Sequence, residues 1–244
     1  MIVNGRGKPL RAVLFDAGNT LVFLDYTRLA AEVGAAVNLP LTGPGLVQHI
    51  SHATQAMERA GGNDQDRAAT YLETLFLRAG VPSHRLGEVR DCLGRMHRER
   101  HLWSSVAEHS AVALARLQAA GIRLGVVSNS DGRVEQALEA AGLRRYFDVV
   151  IDSALVGLEK PDPRIFQAAL ERLGVEPDEA LYVGDLYPID ILGARAAGID
   201  AILLGHGHEA DPSCRWVNSI DDLVNQLLSG EMLVRPVSRE QKGS

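Results

Sequence analysis

The sequence predicts an α/β protein: a parallel sheet flanked by helices, with an all-helical domain inserted after the first strand. Three observations predict it. From residue 111 to residue 228, short apolar runs alternate with segments of helical spacing, the pattern of right-handed βαβ units around a parallel sheet. One apolar run, residues 11–15, stands roughly ninety residues ahead of that alternation, a gap too long for a plain loop. Between the two, residues 25–108 carry helical spacing broken by Gly and Pro, with no run that reads as a strand.

In chain order, Arg11-Ala12-Val13-Leu14-Phe15 reads as a buried strand, ended by the turn-forming Asp16-Ala17-Gly18-Asn19-Thr20. In the insertion, Leu29, Val33 and Val37 mark one helix and Leu72, Leu75 and Phe76 another. A helix through Leu114 and Leu117 reaches Gly121 and leads into a strand over 123–127 that ends at Ser128-Asn129. A helix over 134–141, closed by Gly142, precedes a strand over 147–151. Pro163 opens a helix that Gly174 closes, the usual asymmetry of helix ends. A strand over 181–183 ends in Gly184-Asp185, and a helix over 189–197 follows, closed by Gly198. A strand over 201–204 and a helix over 220–228 complete the pattern. The resulting division is a Rossmann-like core over residues 9–22 and 110–229, a helical domain over 23–109 and a loose polar tail over 230–244.

The chain has 244 residues, of which 46% are hydrophobic, enough for one large domain or two small ones. A net charge of -6 argues against nucleic acid or an anionic membrane surface as partner. Cys92 and Cys214 form neither a metal spacing nor a disulfide framework, which fits a reducing compartment. No apolar run reaches spanning length, and residues 1–10 lack a signal-peptide hydrophobic stretch, so a cytoplasmic location is expected. Only Lys8, Lys160 and Lys242 are lysines, which leaves few candidates for chemistry that needs an ammonium.

Ligands of open α/β sheets bind beyond the carboxyl ends of the strands. Asp16, Ser128-Asn129 and Gly184-Asp185 fall at such ends, and Glu159-Lys160-Pro161-Asp162-Pro163 sits in a loop that opens a helix. The predicted fold therefore gathers two carboxylates, a hydroxyl and a lysine. Two close carboxylates repel unless a cation lies between them, and oxygen ligands with retained waters suit Mg²⁺. A lysine adds positive charge for a transferring phosphoryl group. Taken singly, each residue has a plainer reading. Asp16 and Asp185 would cap turns, Ser128-Asn129 would cap a helix, Lys160 would be a solvated loop lysine, and Asp190 a first-turn acid.

Phe15-Asp16-Ala17-Gly18-Asn19-Thr20-Leu21 resembles the first motif of the haloacid dehalogenase-like hydrolase superfamily. Val127-Ser128-Asn129, then Lys160-Pro161, then Val183-Gly184-Asp185 with Asp190 five residues on, follow in the same motif order. The resemblance covers nearly the whole chain and makes the helical insertion a cap. It implies that Asp16 attacks phosphorus and forms an aspartyl-phosphate. It also implies that Asp16, the Gly18 carbonyl and Asp185 hold Mg²⁺. Ser128 and the neighbouring backbone, at Asn129, would bind the phosphoryl oxygens, Lys160 would neutralise their charge and restrain Asp16, and Asp190 with Thr20 would support these groups from behind. The implied substrate is a small phosphorylated metabolite.

One position departs from the motif. Phosphatases of this superfamily usually carry a second Asp two residues after the nucleophile, where this chain has Gly18. That Asp protonates the leaving group and later activates water, help that is typically worth about 10²–10⁴-fold. Haloacid dehalogenases also lack it, but they lack the Gly-Asp pair too, so Gly184-Asp185 disfavours their chemistry. Phosphonoacetaldehyde hydrolases use a cap lysine, and residues 25–108 contain none. Two readings follow: an Mg²⁺-dependent phosphatase, slowed or using a substitute acid such as His49, His52, Glu58 or Asp25; or a low-turnover phosphate-binding or regulatory protein. The pair His206 and His208 reads as surface loop, the aromatics Phe23, Tyr26, Tyr71, Phe76 and Trp103 as packing, and Tyr187 as bordering the pocket.

Overall fold

Ala12, Val13, Leu14 and Phe15 are fully buried, and they form the first strand, β1 (Ala12–Phe15), of a computed structural model. It describes residue 2, residues 8–205 and residues 211–230. His206, His208 and residues 231–244 of the expected tail lie outside the described residues.

After β1 the chain enters the insertion through β2 (Phe23–Leu24). Asp25 caps α1 (Tyr26–Ala36) by accepting from Arg28 N at 2.9 Å. Pro44 lies in the first turn of α2 (Gly43–Val47), and α3 (Ile50–Arg59) follows. A capping box between Asn63 and Asp66 starts α4 (Asp64–Arg78). The last helix of the insertion is α5 (Leu86–Glu99), and β3 (Trp103–Ser105) pairs antiparallel with β2, Leu24 opposite Trp103. The insertion was expected to hold helices alone. Strands of two and three residues are too short for an alternating pattern to register in the sequence. The helices bury stripes at helical spacing: Leu29 and Val33; Leu72, Leu75 and Phe76; Val89, Leu93 and Met96. Each such side chain contributes roughly 1.5–3 kcal/mol by leaving water.

The alternating part begins with α6 (Ser110–Ala119), β4 (Arg123–Ser128), α7 (Val134–Ala140), β5 (Val149–Asp152) and a single turn, α8 (Ser153–Val156). Asp162 caps α9 (Pro163–Leu173), and Gly174 ends it at φ 60°, a left-handed position that suits glycine. Next come β6 (Ala180–Gly184), a π turn over Tyr187–Ile191, α10 (Leu192–Ala196), β7 (Asp200–Leu204), β8 (Trp216–Val217) and α11 (Ile220–Ser229).

Six strands form one sheet in the order β5-β4-β1-β6-β7-β8, with every pairing parallel. The Rossmann-like core is therefore present. β1 lies inside it, where the chain order reverses, the place beyond whose carboxyl ends ligands of such sheets bind. The strand expected over 147–151 runs instead to Asp152, whose backbone still pairs with Ser128. The helix expected over 189–197 begins as a π turn, closed by Leu192 N donating to Tyr187 O. β8 is too short to have shown in the sequence.

The chain divides into two units, Met1–Val22 with Val106–Ser244, and Phe23–Ser105. In the first unit, Phe166 of α9 meets Tyr182 of β6 edge-on, ring centroids 4.9 Å apart, within a core that includes Leu14, Ile151, Ile165 and Ile191. No helix among the described residues is long and apolar enough to cross a membrane.

Candidate active site

The site is built at the carboxyl ends of β4, β1 and β6. Asp16 continues the β1 ladder with its backbone, N–H to Val183 O at 2.8 Å. Its side chain is thereby carried to the end of the sheet, and the residue is only 7% exposed. The turn that follows is closed by Leu21 N and Val22 N, both donating to Ala17 O at 2.9 Å, with Asn19 at φ 55°. Thr20 is buried, and its Oγ1 has no hydrogen-bond partner among the described residues.

Lys160 reaches Asp16 from the loop before α9. It is 3% exposed, and its Nζ lies 2.5 Å from Asp16 Oδ1, 2.7 Å from Asp190 Oδ1 and 3.0 Å from Tyr182 Oη. Asp190 is held from two sides. Its Oδ1 also accepts from the Tyr182 hydroxyl at 3.0 Å, and its Oδ2 accepts from Leu186 N at 2.9 Å. Gly184 makes this possible: a Cβ there would sit 2.4 Å from Asp190 Cγ. Tyr182 was read from sequence only as a strand residue. The available signal was that a phenol in a buried strand needs a partner for its hydroxyl.

At the end of β4, Ser128 is buried, and its Oγ donates to Asn129 O at 3.4 Å. The Asn129 side chain is engaged with the backbone of Lys160. Its Oδ1 accepts from Lys160 N at 2.8 Å and its Nδ2 donates to Lys160 O at 3.1 Å. The following loop is pinned by the end of β5. Asp152 accepts from Gly132 N, Val134 N and Ala154 N at 3.0–3.2 Å. Ser153 Oγ accepts from Ser130 N at 3.0 Å and donates to Ser130 O at 3.2 Å. The sequence reading missed Asp152 and Ser153, because an acid and a serine after a strand look like any turn.

Asp16, Asp185 and Asp190 bring carboxylate oxygens within 4.8 Å of one another, against one ammonium. Burial, only partly offset by Lys160, pushes Asp16 up to about 7. Burial, then repulsion from Asp16 and Asp190, raises Asp185 well above the ordinary carboxylate range. Burial opposes the charge of Lys160, but Asp16 and Asp190 outweigh it and hold the ammonium above its usual value. Burial also raises Tyr182, so its phenol stays protonated. No side-chain donor reaches Asp185 among the described residues, while both oxygens of Asp190 are occupied. Asp16, which shares the one ammonium with Asp190, and Asp185, which no ammonium reaches, offer oxygen donors only, a donor set that fits Mg²⁺.

The candidate substitute acids belong to the second unit. Asp25 caps α1 and pairs with Arg100 at 3.3 Å, His49 precedes α3, and His52 and Glu58 lie on it, all in the second unit. Tyr187 donates to Asp211 Oδ2 at 2.9 Å, and Arg195 donates to the same oxygen at 2.7 Å.

Comparison with known proteins places this geometry in context. A family model described as haloacid dehalogenase-like hydrolase matches residues 10–198. The chain is 34% identical over 217 residues to haloacid dehalogenase-like hydrolase domain-containing protein 3 of Bos taurus, covering 84% of this chain and 86% of the relative. It is 38% identical over 217 residues to phosphoglycolate phosphatase of Rhodospirillum rubrum, covering 83% and 82% respectively. A solved HAD-hydrolase from Bacillus subtilis superposes with a TM-score of 0.65 at 20% identity, over 91% of this chain and all of that one, a likeness of fold.

Proposed function

The chain belongs to the haloacid dehalogenase-like hydrolase family, and from that membership we propose that it hydrolyses a small phosphate ester through an aspartyl-phosphate on Asp16. The observation that carries the reading is the 2.5 Å pair of Lys160 and Asp16, buried at the end of the central strand beside Asp185. Phosphatases among the relatives, such as the Rhodospirillum rubrum enzyme, support a small phosphorylated metabolite as substrate.

Lys160 holds Asp16 Oδ1, which leaves Oδ2 as the attacking oxygen. Oδ2 forms a bond to phosphorus as the ester oxygen leaves with the electron pair of the P–O bond. Water then attacks the aspartyl-phosphate, releasing phosphate and restoring the carboxylate. Asp16 and Asp185, with the Gly18 carbonyl, would hold Mg²⁺, which when bound offsets the charge that keeps an anionic nucleophile from a phosphate. Ser128 would face the phosphoryl oxygens, and Asp190 fixes Lys160. Gly18 supplies no proton to the departing oxygen, so acidic leaving groups are favoured.

The test is phosphate release with Mg²⁺ from a panel of metabolites, beside Asp16→Asn. Turnover that vanishes in the variant supports the reading, and turnover that survives removes Asp16 as nucleophile. Gly18 favours a second reading, a phosphate-binding or regulatory protein with little turnover. A pre-steady-state burst followed by near-silence supports that one, and a linear trace at high enzyme concentration counts against it.

A further inference from the structure

We propose that Tyr182 is a positioning residue for Lys160. Its buried hydroxyl accepts the third N–H of the ammonium and holds Nζ against Asp16 and Asp190. The inference rests on the phosphatase reading for its catalytic meaning but on geometry for its substance.

An ammonium has three N–H donors and no acceptor. Lys160 Nζ has three acceptors, at 2.5 Å, 2.7 Å and 3.0 Å, and the third is Tyr182. The hydroxyl also lies 3.0 Å from Asp190 Oδ1 and 3.2 Å from Val127 O. Its single proton goes to the carboxylate, the stronger, charge-assisted acceptor. Nζ, the Asp190 oxygen and the phenol oxygen thus form a closed triangle with a hydrogen-bond contact along every edge. Tyr182 is fully buried, and Phe166 packs edge-on against its ring at 4.9 Å, so the hydroxyl has a fixed place. Without it, one Lys160 N–H would face no acceptor among the described residues at a buried position, and Asp190 Oδ1 would lose one of its two donors.

The sequence offers a direct readout. The chain contains three lysines, Lys8, Lys160 and Lys242, so ¹⁵N-lysine labelling yields three side-chain signals, and Lys160→Arg identifies one of them by its loss. In the native protein the Lys160 Nζ–H signal should exchange with water far more slowly than that of Lys8, which is exposed. In Tyr182→Phe the signal should shift and its exchange quicken about tenfold or more, the scale expected for losing one hydrogen bond to a charged group. On a substrate that the protein turns over, kcat should fall about tenfold with KM changed less. A Lys160 signal in Tyr182→Phe with native shift and exchange, at whatever melting temperature, would overturn the proposal. If the variant does not fold, a native Lys160 signal exchanging as fast as that of Lys8 overturns it equally. Neither NMR outcome depends on turnover, so a failed substrate screen would count against the phosphatase reading and leave this one standing.

Discussion

Asn129 grips the peptide backbone of Lys160 at both polar groups, accepting from its N–H at 2.8 Å and donating to its carbonyl at 3.1 Å. The residue after the β4 strand end therefore fixes the place from which Lys160 extends. Asn129→Ala removes both bonds and should cost about 1–3 kcal/mol in urea unfolding. Phosphate release should fall more than stability alone accounts for, since Lys160 loses its fixed origin. Asn129→Asp keeps the acceptor and loses the donor, and it should lie between the two. Equal activity in all three proteins would show that the grip has no bearing on the lysine.

Gly184→Ala should be severe. The added carbon would sit 2.4 Å from Asp190 Cγ and 2.7 Å from Asp190 Cβ, so the carboxylate must move off Lys160. Overpacking of this kind costs about 1–3 kcal/mol. Activity should drop on the order of 10²-fold, because an ångström of misplacement at a reacting group has that effect. A variant with native kcat would mean that Asp190 does not set the position of Lys160.

Gly18→Asp should change which substrates react. The left-handed position of the turn falls on Asn19, at φ 55°, so the new side chain meets no backbone demand for glycine. Alkyl phosphates should gain about 10²-fold or more, and aryl phosphates little, because only the former need a proton as they leave. Equal gains on both classes would indicate that leaving-group protonation is not what Gly18 limits.

The acidic cluster makes metal binding and stability depend on pH in a defined direction. Asp16 is pushed up to about 7, and Asp185 is raised as well, chiefly by burial. A carboxylate with a raised folded-state pKa binds its proton more tightly when folded. The metal-free protein should therefore lose stability as pH rises from the ordinary carboxylate range, about 4, through about 7. Mg²⁺ competes with these protons, so its stabilising effect should grow over the same window. Melting temperatures from about pH 5 to about pH 8, with and without Mg²⁺, test this. A magnesium increment that does not vary with pH would show that the metal does not displace protons from these groups. Asp185→Asn should flatten the metal-free slope.

The framework was legible because long, regular patterns survive in a single sequence. The alternation after residue 111, the Pro163 start and Gly174 stop of one helix, and the isolated first strand each had a physical signature. Asp16, Lys160 and Asp185 were legible because the sheet delivers strand ends to one edge, and Asp190 through the resemblance in motif order; the structure does bring their side chains together. What escaped was whatever depends on a side chain turning inward. Tyr182 read only as a strand residue and Asp152 drew no reading, yet Tyr182 bonds to Lys160 and Asp152 to the loop after β4, while the Asn129 side chain turns to the Lys160 backbone. Register and side-chain direction decide such matters, and one sequence records neither. The short strands β2, β3 and β8 escaped for a different reason, their length.

The pairing of Phe23–Leu24 with Trp103–Ser105 has an evolutionary consequence. Neighbouring strands run about 4.8 Å apart, so the outgoing and returning chains of the second unit stand side by side. A tight turn spans such a gap as well as eighty residues do, and loop-closure cost rises only slowly with length. Residues 23–105 can therefore be enlarged, trimmed or exchanged as a cassette at that ribbon, leaving the parallel sheet and its acidic edge under separate selection.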